Sequence, residues 1–373
     1  MLSIIFSSDD ANNVQRLTHE FKSIGVKAVG FHHENFTTQH TGSGIFPFIR
    51  TSDGFKQVFA NSIDFFLPFS KGGNQSNFIS TLYGNLFGVA SMSSDGAKYA
   101  ETSDGILAQL KRKQVQTPRY KVFSSMEDFY YIDTNFTAPY GVVVKSLDDS
   151  FPAILADYAS FEEIAKDTIK RSKKVLVQEY VKSKERDASG YVTKTETKDY
   201  TAIFVGNKVV AAWQHDGLAE TENFTKNVTL NDSLNYLASQ AANAVGMQVA
   251  AVELGIDVVT GQNYVYSVES DFDLIEVENI TNVNVSAEIA NYASIKANEN
   301  KKSYNAMKDS YNKKFDKAMM SRFEKIEFKN GNEIALDLTK FKSQGEKSFS
   351  GRTSTFKVEA KNREYKIGFS KIK

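Results

Sequence analysis

Val249–Asp271 reads VAAVELGIDVVTGQNYVYSVESD. Two β-rich runs, Val249–Val259 and Tyr264–Glu269, flank Gly261-Gln262-Asn263, which predicts a hairpin of two strands. Three acids stand in it: Asp257 in the first run, Glu269 and Asp271 at the end of the second. Residues two apart on a strand share a face, so Glu269 and Asp271 are expected to aim together, with Asp257 facing them from the preceding strand. Carboxylates on rigid strands suit Mg2+, which takes one or two of them alongside phosphate oxygens. The same three acids also fit a solvated edge hairpin, and the pattern alone does not choose.

Working outward, Gly141–Lys145 (GVVVK) is a strand that ends on a lysine, and Phe161–Ser172 is an amphipathic helix. Val175–Val181 (VLVQEYV) is a buried strand that runs into the polar stretch Lys182–Lys198. Tyr200–Val205 and Lys208–Trp213 flank Gly206-Asn207, a hairpin signal. Ser233–Val245 is a helix closed by Gly246, and Ser286–Ala297 is another. Near the start, Leu2–Phe6, a helix over Asn12–Ile24 and Val26–Phe31 make a β-α-β unit, the mark of a parallel sheet. The helix pattern rests on Val14, Leu17, Phe21 and Ile24. Ile63–Pro68 is a further apolar run, Thr81–Met92 reads as helix or strand, and Ile106–Lys113 as helix.

The order of these pieces from Asp104 to Ala297 resembles the ATP-grasp superfamily, most closely its RimK-like amino-acid ligase branch. The resemblance implies that Lys145 meets the α/β-phosphates of ATP. It implies that Gln178, Glu179, Tyr180 and Val181 line the adenine and ribose site. It places Lys226 and His215 at the transferring phosphoryl group, Asn227 with the nucleotide, and Asp257, Glu269 and Asp271 around Mg2+. ATP and Mg2+ are thus the expected cofactors. Four departures stand beside this. The Asp-Lys that opens the family's domain reads Asp104-Gly105. The glycine-rich phosphate loop reads Ser146-Leu147-Asp148-Asp149-Ser150-Phe151-Pro152. Family arginines read Thr201 and His215, and the metal Asn reads Asp271.

The fold class expected is α/β and α+β: an ATP-grasp fold behind an N-terminal α/β lobe, with a small β-rich C-terminal module. The expected boundaries are 1–103, 104–297, an amphipathic helix over 298–323, and 324–373. The tail signals are Tyr304, Met307, Tyr311, Phe315 and Met319 at helical spacing. Short strands come after it at Lys325–Phe328, Glu333–Leu338, Thr355–Ala360 and Glu364–Phe369. The net charge is zero, yet residues 298–373 hold 19 Lys+Arg against 10 Asp+Glu, so the tail carries +9 and the remainder −9. This suggests an anionic partner or docking on the acidic body, or else a solvated lysine-rich surface.

No run of about 18 apolar residues occurs, so no membrane span is expected. MLSIIFSSDD reads as a strand rather than a signal peptide. The absence of cysteine removes disulfides and thiolate chemistry and fits a cytoplasmic protein. His32, His33 and His40 match no metal spacing and read as a solvated loop. No Ser/His/Asp triad is evident. The resemblance implies a carboxylate–amine ligase acting through an acyl phosphate on small-molecule or peptide substrates. The alternative, motivated by the departures, is a catalytically inactive relative used as a scaffold.

Overall fold

The computed structural model describes residues 3–41, 44–51, 54–57, 63–69, 90–99, 102–125, 127–128, 142–147, 154–156, 161–172, 174–180, 185–186, 192–194, 199–215, 226–257, 260–323, 353–360 and 363–370. It divides into two compact units, Met1–Ser303 and Tyr304–Lys373.

The first unit opens with β1 (Ser3–Ser8), α1 (Ala11–Ser23) and β2 (Lys27–His32). Asp10 caps α1 by accepting from the Asn12 N–H, which satisfies one of the helix's orphan donors. Next come β3 (Phe36–Thr41), β4 (Gly44–Thr51), β5 (Gly54–Gln57) and β6 (Phe65–Pro68). β1 lies between β2 and β6 and is parallel to both, as the β-α-β reading requires. β3, β4 and β5 form a separate antiparallel sheet that the sequence reading did not anticipate.

Residues 90–93 tie this lobe to the central part of the unit. Ser91 N–H donates to Phe66 O, and Gln248 N–H donates to Ser91 O. Two short helices come next, α2 (Ser94–Tyr99) and α3 (Ser103–Arg112).

A four-stranded antiparallel sheet has the order β7-β10-β8-β9: β7 (Tyr120–Phe123), β8 (Val142–Ser146), β9 (Ile154–Ala156) and β10 (Val175–Glu179). Helix α4 (Phe161–Ser172) covers one face, where Ala165 and Ile169 pack with Val142, Val144, Val175 and Val177. The polar stretch after β10 contains a short hairpin, β11 (Glu185–Arg186) and β12 (Val192–Lys194).

The central sheet is five-stranded and antiparallel. Its strands are β13 (Asp199–Val205), β14 (Lys208–His215), β15 (Lys226–Asn227), β16 (Val249–Ile256) and β17 (Asn263–Glu269), in the order β15-β14-β13-β16-β17. Helix α5 (Asp232–Val245) lies on one face, where Leu234, Ala238, Ala241 and Val245 meet Ala202, Phe204, Ala250 and Val252. Gly246 ends α5 at φ 76°, a left-handed cap that glycine takes without a Cβ clash.

The opposite face is apolar at one end. There Ile203, Val205, Ala211, Val249 and Ala251 join Ile4, Phe6, Leu17, Phe21, Phe65, Leu67 and Phe69 of the N-terminal lobe in one core. The face turns polar at its other end.

Helix α6 (Leu274–Thr281) follows, then α7 (Val285–Phe323), whose residues up to Ser303 complete the unit. α6 was missed because LIEVENIT is rich in strand formers. Asp273 supplies the helix signal by accepting from the Ile275 and Glu276 N–H groups. The two helices expected over 286–297 and 298–323 are one helix, and no glycine or proline stands at their junction, residues 298–301. α7 seals the core with Val285, Ile289, Ala290, Ala293 and Ala297.

In the second unit, β18 (Thr353–Ala360) and β19 (Arg363–Ser370) pair as a hairpin. The strands expected at Lys325–Phe328 and Glu333–Leu338, and most of Thr81–Met92, lie outside the described residues.

Candidate functional site

The polar end of the central sheet faces the side of the β7-β10-β8-β9 sheet that α4 leaves free, across a cleft of about 110 Å3. Val143, Lys145, Gln178 and Tyr180 line it from one side, and Asp199, His215, Glu253, Leu254 and Tyr266 from the other.

Register explains which side chains meet. On β8 and β10, Lys145 stands opposite Leu176 and Val143 opposite Gln178. The alternate residues Val142, Val144, Val175 and Val177 go to the α4 side, so Lys145 and Gln178 are left to the cleft. Lys145 is half-buried. Gln178 is 1% exposed, and its Nε2 has no hydrogen-bond partner among the described residues. Glu179 turns away into a two-point ion pair with Arg119, at 2.7 and 2.9 Å. Tyr180 is buried, and burial pushes its phenol well above the usual range, so it stays protonated. Val181 lies outside the described residues.

Across the cleft, Asp199 is the cross-strand partner of both His215 and Gly255. The Thr201 hydroxyl lies 3.1 Å from Nε2 of His215. Thr201 in turn stands opposite Glu253. A bulge between β16 and β17 skips Tyr266 in the register. The Tyr266 ring lies over Gly255, where an added Cβ would sit 2.3 Å from it, so any larger residue there has to displace the ring. Burial, and then the neighbouring Tyr180 and acids, hold the Tyr266 phenol protonated.

The acids fall differently from the sequence expectation. β16 and β17 pair from Ala251–Glu269 to Ile256–Asn263. Asp257 therefore lies past the last pair, at the turn, and Glu269 at the opposite end. Six residues of strand separate the two positions, roughly 20 Å at about 3.3 Å each. Asp257 is a turn residue: its N–H donates to Gln262 O at 2.8 Å, its carbonyl accepts from Gly261 N–H at 2.6 Å, and its Oδ1 from Thr260 N–H at 3.3 Å.

Glu253, not singled out from the sequence, shares a face with Glu269 instead. It stands opposite Ser267, whose hydroxyl donates to it at 2.8 Å, and Ser267 is two residues from Glu269. Such diagonal neighbours lie about 7–8 Å apart. Glu269 is exposed, whereas Asp271 is buried and accepts from Asn13 Nδ2 at 3.4 Å. No cluster of three acids or histidines able to hold a metal occurs among the described residues. The signal for Glu253 was available, because an acid inside the apolar run VAAVELGI is costly to bury without a purpose.

Lys226 and Asn227 sit on the edge strand β15, opposite Gln214 and Trp213. Both are exposed, and the Asn227 amide donates to the Thr281 carbonyl. Neither lines the cleft.

The chain matches the RimK-like ATP-grasp domain over residues 102–293, more than half its length. It belongs to the RimK-like ATP-grasp family, and its fold is the ATP-grasp fold of ATP-dependent ligases. The chain is similar to the ATP-grasp ligase PsnB, solved with precursor peptide PsnA2 and AMPPNP, at 14% identity, 79% of this chain, 97% of that one and TM-score 0.57. PsnB is also known with a minimal precursor, Mg and ADP. A RimK domain ATP-grasp protein from Sphaerobacter thermophilus DSM 20745 is 18% identical, over 78% of this chain and 98% of that one, at TM-score 0.54. The macrocyclase MdnC bound with precursor peptide MdnA, from Microcystis aeruginosa MRC, is 10% identical over 78% and 98%, at TM-score 0.55. A search by sequence among curated proteins finds no match. No described helix is long and apolar enough to cross a membrane.

Proposed function

We propose that this chain is an ATP-dependent carboxylate–amine ligase that acts on a peptide. The observation that carries the reading is the cleft itself: Lys145 and the unsatisfied Gln178 amide on one sheet face Glu253 and His215 on the other. The peptide substrate is supported by the precursor peptides bound to PsnB and MdnC.

Lys145 neutralises the α/β-phosphates, and Gln178 Nε2 donates to the nucleotide, which gives that buried amide its missing partner. The donor set fits Mg2+: Glu253 and Glu269 are hard oxygen ligands on one sheet face, to which phosphate oxygens and water would add. When bound, the ion neutralises phosphate charge and aligns the γ-phosphoryl group. The substrate carboxylate oxygen attacks the γ-phosphorus, the bond to the ADP oxygen breaks, and an acyl phosphate forms. The amine nitrogen then attacks the acyl carbon, phosphate leaves, and the nitrogen gives up a proton. His215, set by Thr201, faces the phosphoryl group, and we assign Lys226, one strand away, to the incoming anionic substrate. Positioning and charge account for the catalysis, and no protein nucleophile is needed.

Thr201 and His215 stand where the family resemblance implies arginines, and this favours a second reading as a nucleotide-binding scaffold. Thermal shift with Mg-AMPPNP tests binding, and ADP release with pooled peptides separates the readings. Stabilisation with ADP release supports the ligase; stabilisation without it supports the scaffold.

A further inference from the structure

The acid pair depends on how the chain leaves β17. Glu269 is its last residue, and Ser270 to Asp273 turn directly into α6. Ser270 and Asp271 are buried. The group that grips this turn comes from a part of the chain some 260 residues away. Asn13 lies in the buried stripe of α1 with Leu17 and Phe21, and it is 1% exposed. Its Nδ2 donates to Phe272 O at 2.9 Å and to Asp271 Oδ1 at 3.4 Å. Its Oδ1 accepts from Leu274 N–H at 3.0 Å. An amide in an apolar stripe is tolerated only when its polar atoms are bonded, and here all three bonds go to one turn. Phe69, also of the N-terminal lobe, packs edge-on against Phe272 at 4.8 Å between ring centroids.

We infer that Asn13 is a positioning residue: by fixing the turn after β17 it holds Glu269 for the cation, and so couples the N-terminal lobe to metal-dependent nucleotide binding. The inference rests on the ligase reading above. Residues that orient metal ligands typically matter about 10- to 100-fold in metal affinity.

Arg16 supplies the control. It ties the same helix to the α6 region through Glu278 at 2.8 Å and Asn284 at 3.1 Å, without touching the turn. ADP is titrated calorimetrically into the full chain, with Mg2+ and with EDTA, for the unaltered protein, Asn13→Ala, Asn13→Asp and Arg16→Ala. Asn13→Asp keeps the shape and the acceptor for Leu274 N–H, and it replaces the donor with a carboxylate oxygen facing Phe272 O and Asp271 Oδ1. Both Asn13 variants are expected to weaken the Mg2+-dependent binding about tenfold and to leave binding in EDTA unchanged. Arg16→Ala is expected to lower the melting temperature and leave the Mg2+ dependence as it was. A folded Asn13 variant with unaltered Mg2+ dependence overturns the inference, as does an equal shift in Arg16→Ala. Failure of the unaltered chain to bind ADP at any Mg2+ concentration sinks the ligase reading first, and this inference with it.

Discussion

Glu253 on β16 and Glu269 on β17 stand diagonally across one face of the central sheet, joined through Ser267, which faces the first and neighbours the second. In the proposed reading this pair, rather than Asp257 with Glu269, holds the divalent cation. Glu253→Gln and Glu269→Gln are each expected to remove the Mg2+-dependent thermal shift with ADP and to keep the fold. Asp257→Asn is expected to retain that shift and to lower the melting temperature, because it weakens a turn. A lost shift in Asp257→Asn alone would reverse the assignment.

Lys145 is the only lysine or arginine lining the cleft among the described residues. A charge-assisted contact to an anion contributes about 1.5–3 kcal/mol, or roughly ten- to a hundredfold in affinity. Lys145→Met should weaken ADP binding by that factor while keeping the side chain's bulk. Titration calorimetry measures it, and unchanged affinity would mean that the lysine merely extends to solvent.

Acid should loosen the seat of α1. Burial alone would raise the Glu20 carboxyl, but hydrogen bonds from Arg16 and Asn284 outweigh it and hold the group below its usual range. A lowered folded value means that the stabilisation is full above the unfolded carboxylate range. It is lost as pH falls through the lowered value, from about pH 5 downward. Glu20→Gln should therefore cost about 1.5–3 kcal/mol near neutrality and flatten the acid limb of a melting-temperature profile. Parallel acid limbs for the two proteins would refute this.

The C-terminal module, 324–373, is expected to hold polyanions by charge. Retention on an immobilised polyanion should fall steeply as salt rises past about 0.15 M, where charges are screened beyond roughly 8 Å. Retention that ignores salt, or none at all, leaves the lysines as ordinary solvated surface.

Much of this architecture was legible because periodicity and turn chemistry agree locally. Gly206-Asn207 and Gly246 mark a hairpin and a helix end where the structure has them. Lys145 and Gln178 fall on one face because strands alternate. What escaped was register. A hairpin's acids can be paired only when the turn's length is known, and Asp257 belongs to the turn. Asn13 escaped for a related reason: α1 was read from Val14, Leu17, Phe21 and Ile24, yet Ile24 is 39% exposed and a polar residue completes the buried stripe. A long-range hydrogen bond leaves no mark in local spacing.

The shared core of β1, α1, β6 and the central sheet decides where this chain can be cut. The family match begins at residue 102, which invites a shortened protein starting there. Such a fragment would lose Ile4, Phe6, Leu17 and Phe65 from the core they share with Ile203, Val205, Val249 and the helices α6 and α7, and would open part of that core to water. Exposed apolar faces of that kind make proteins stick to one another. The smallest piece that stays in solution and keeps its cleft has to carry the N-terminal lobe along, whatever that lobe contributes to chemistry.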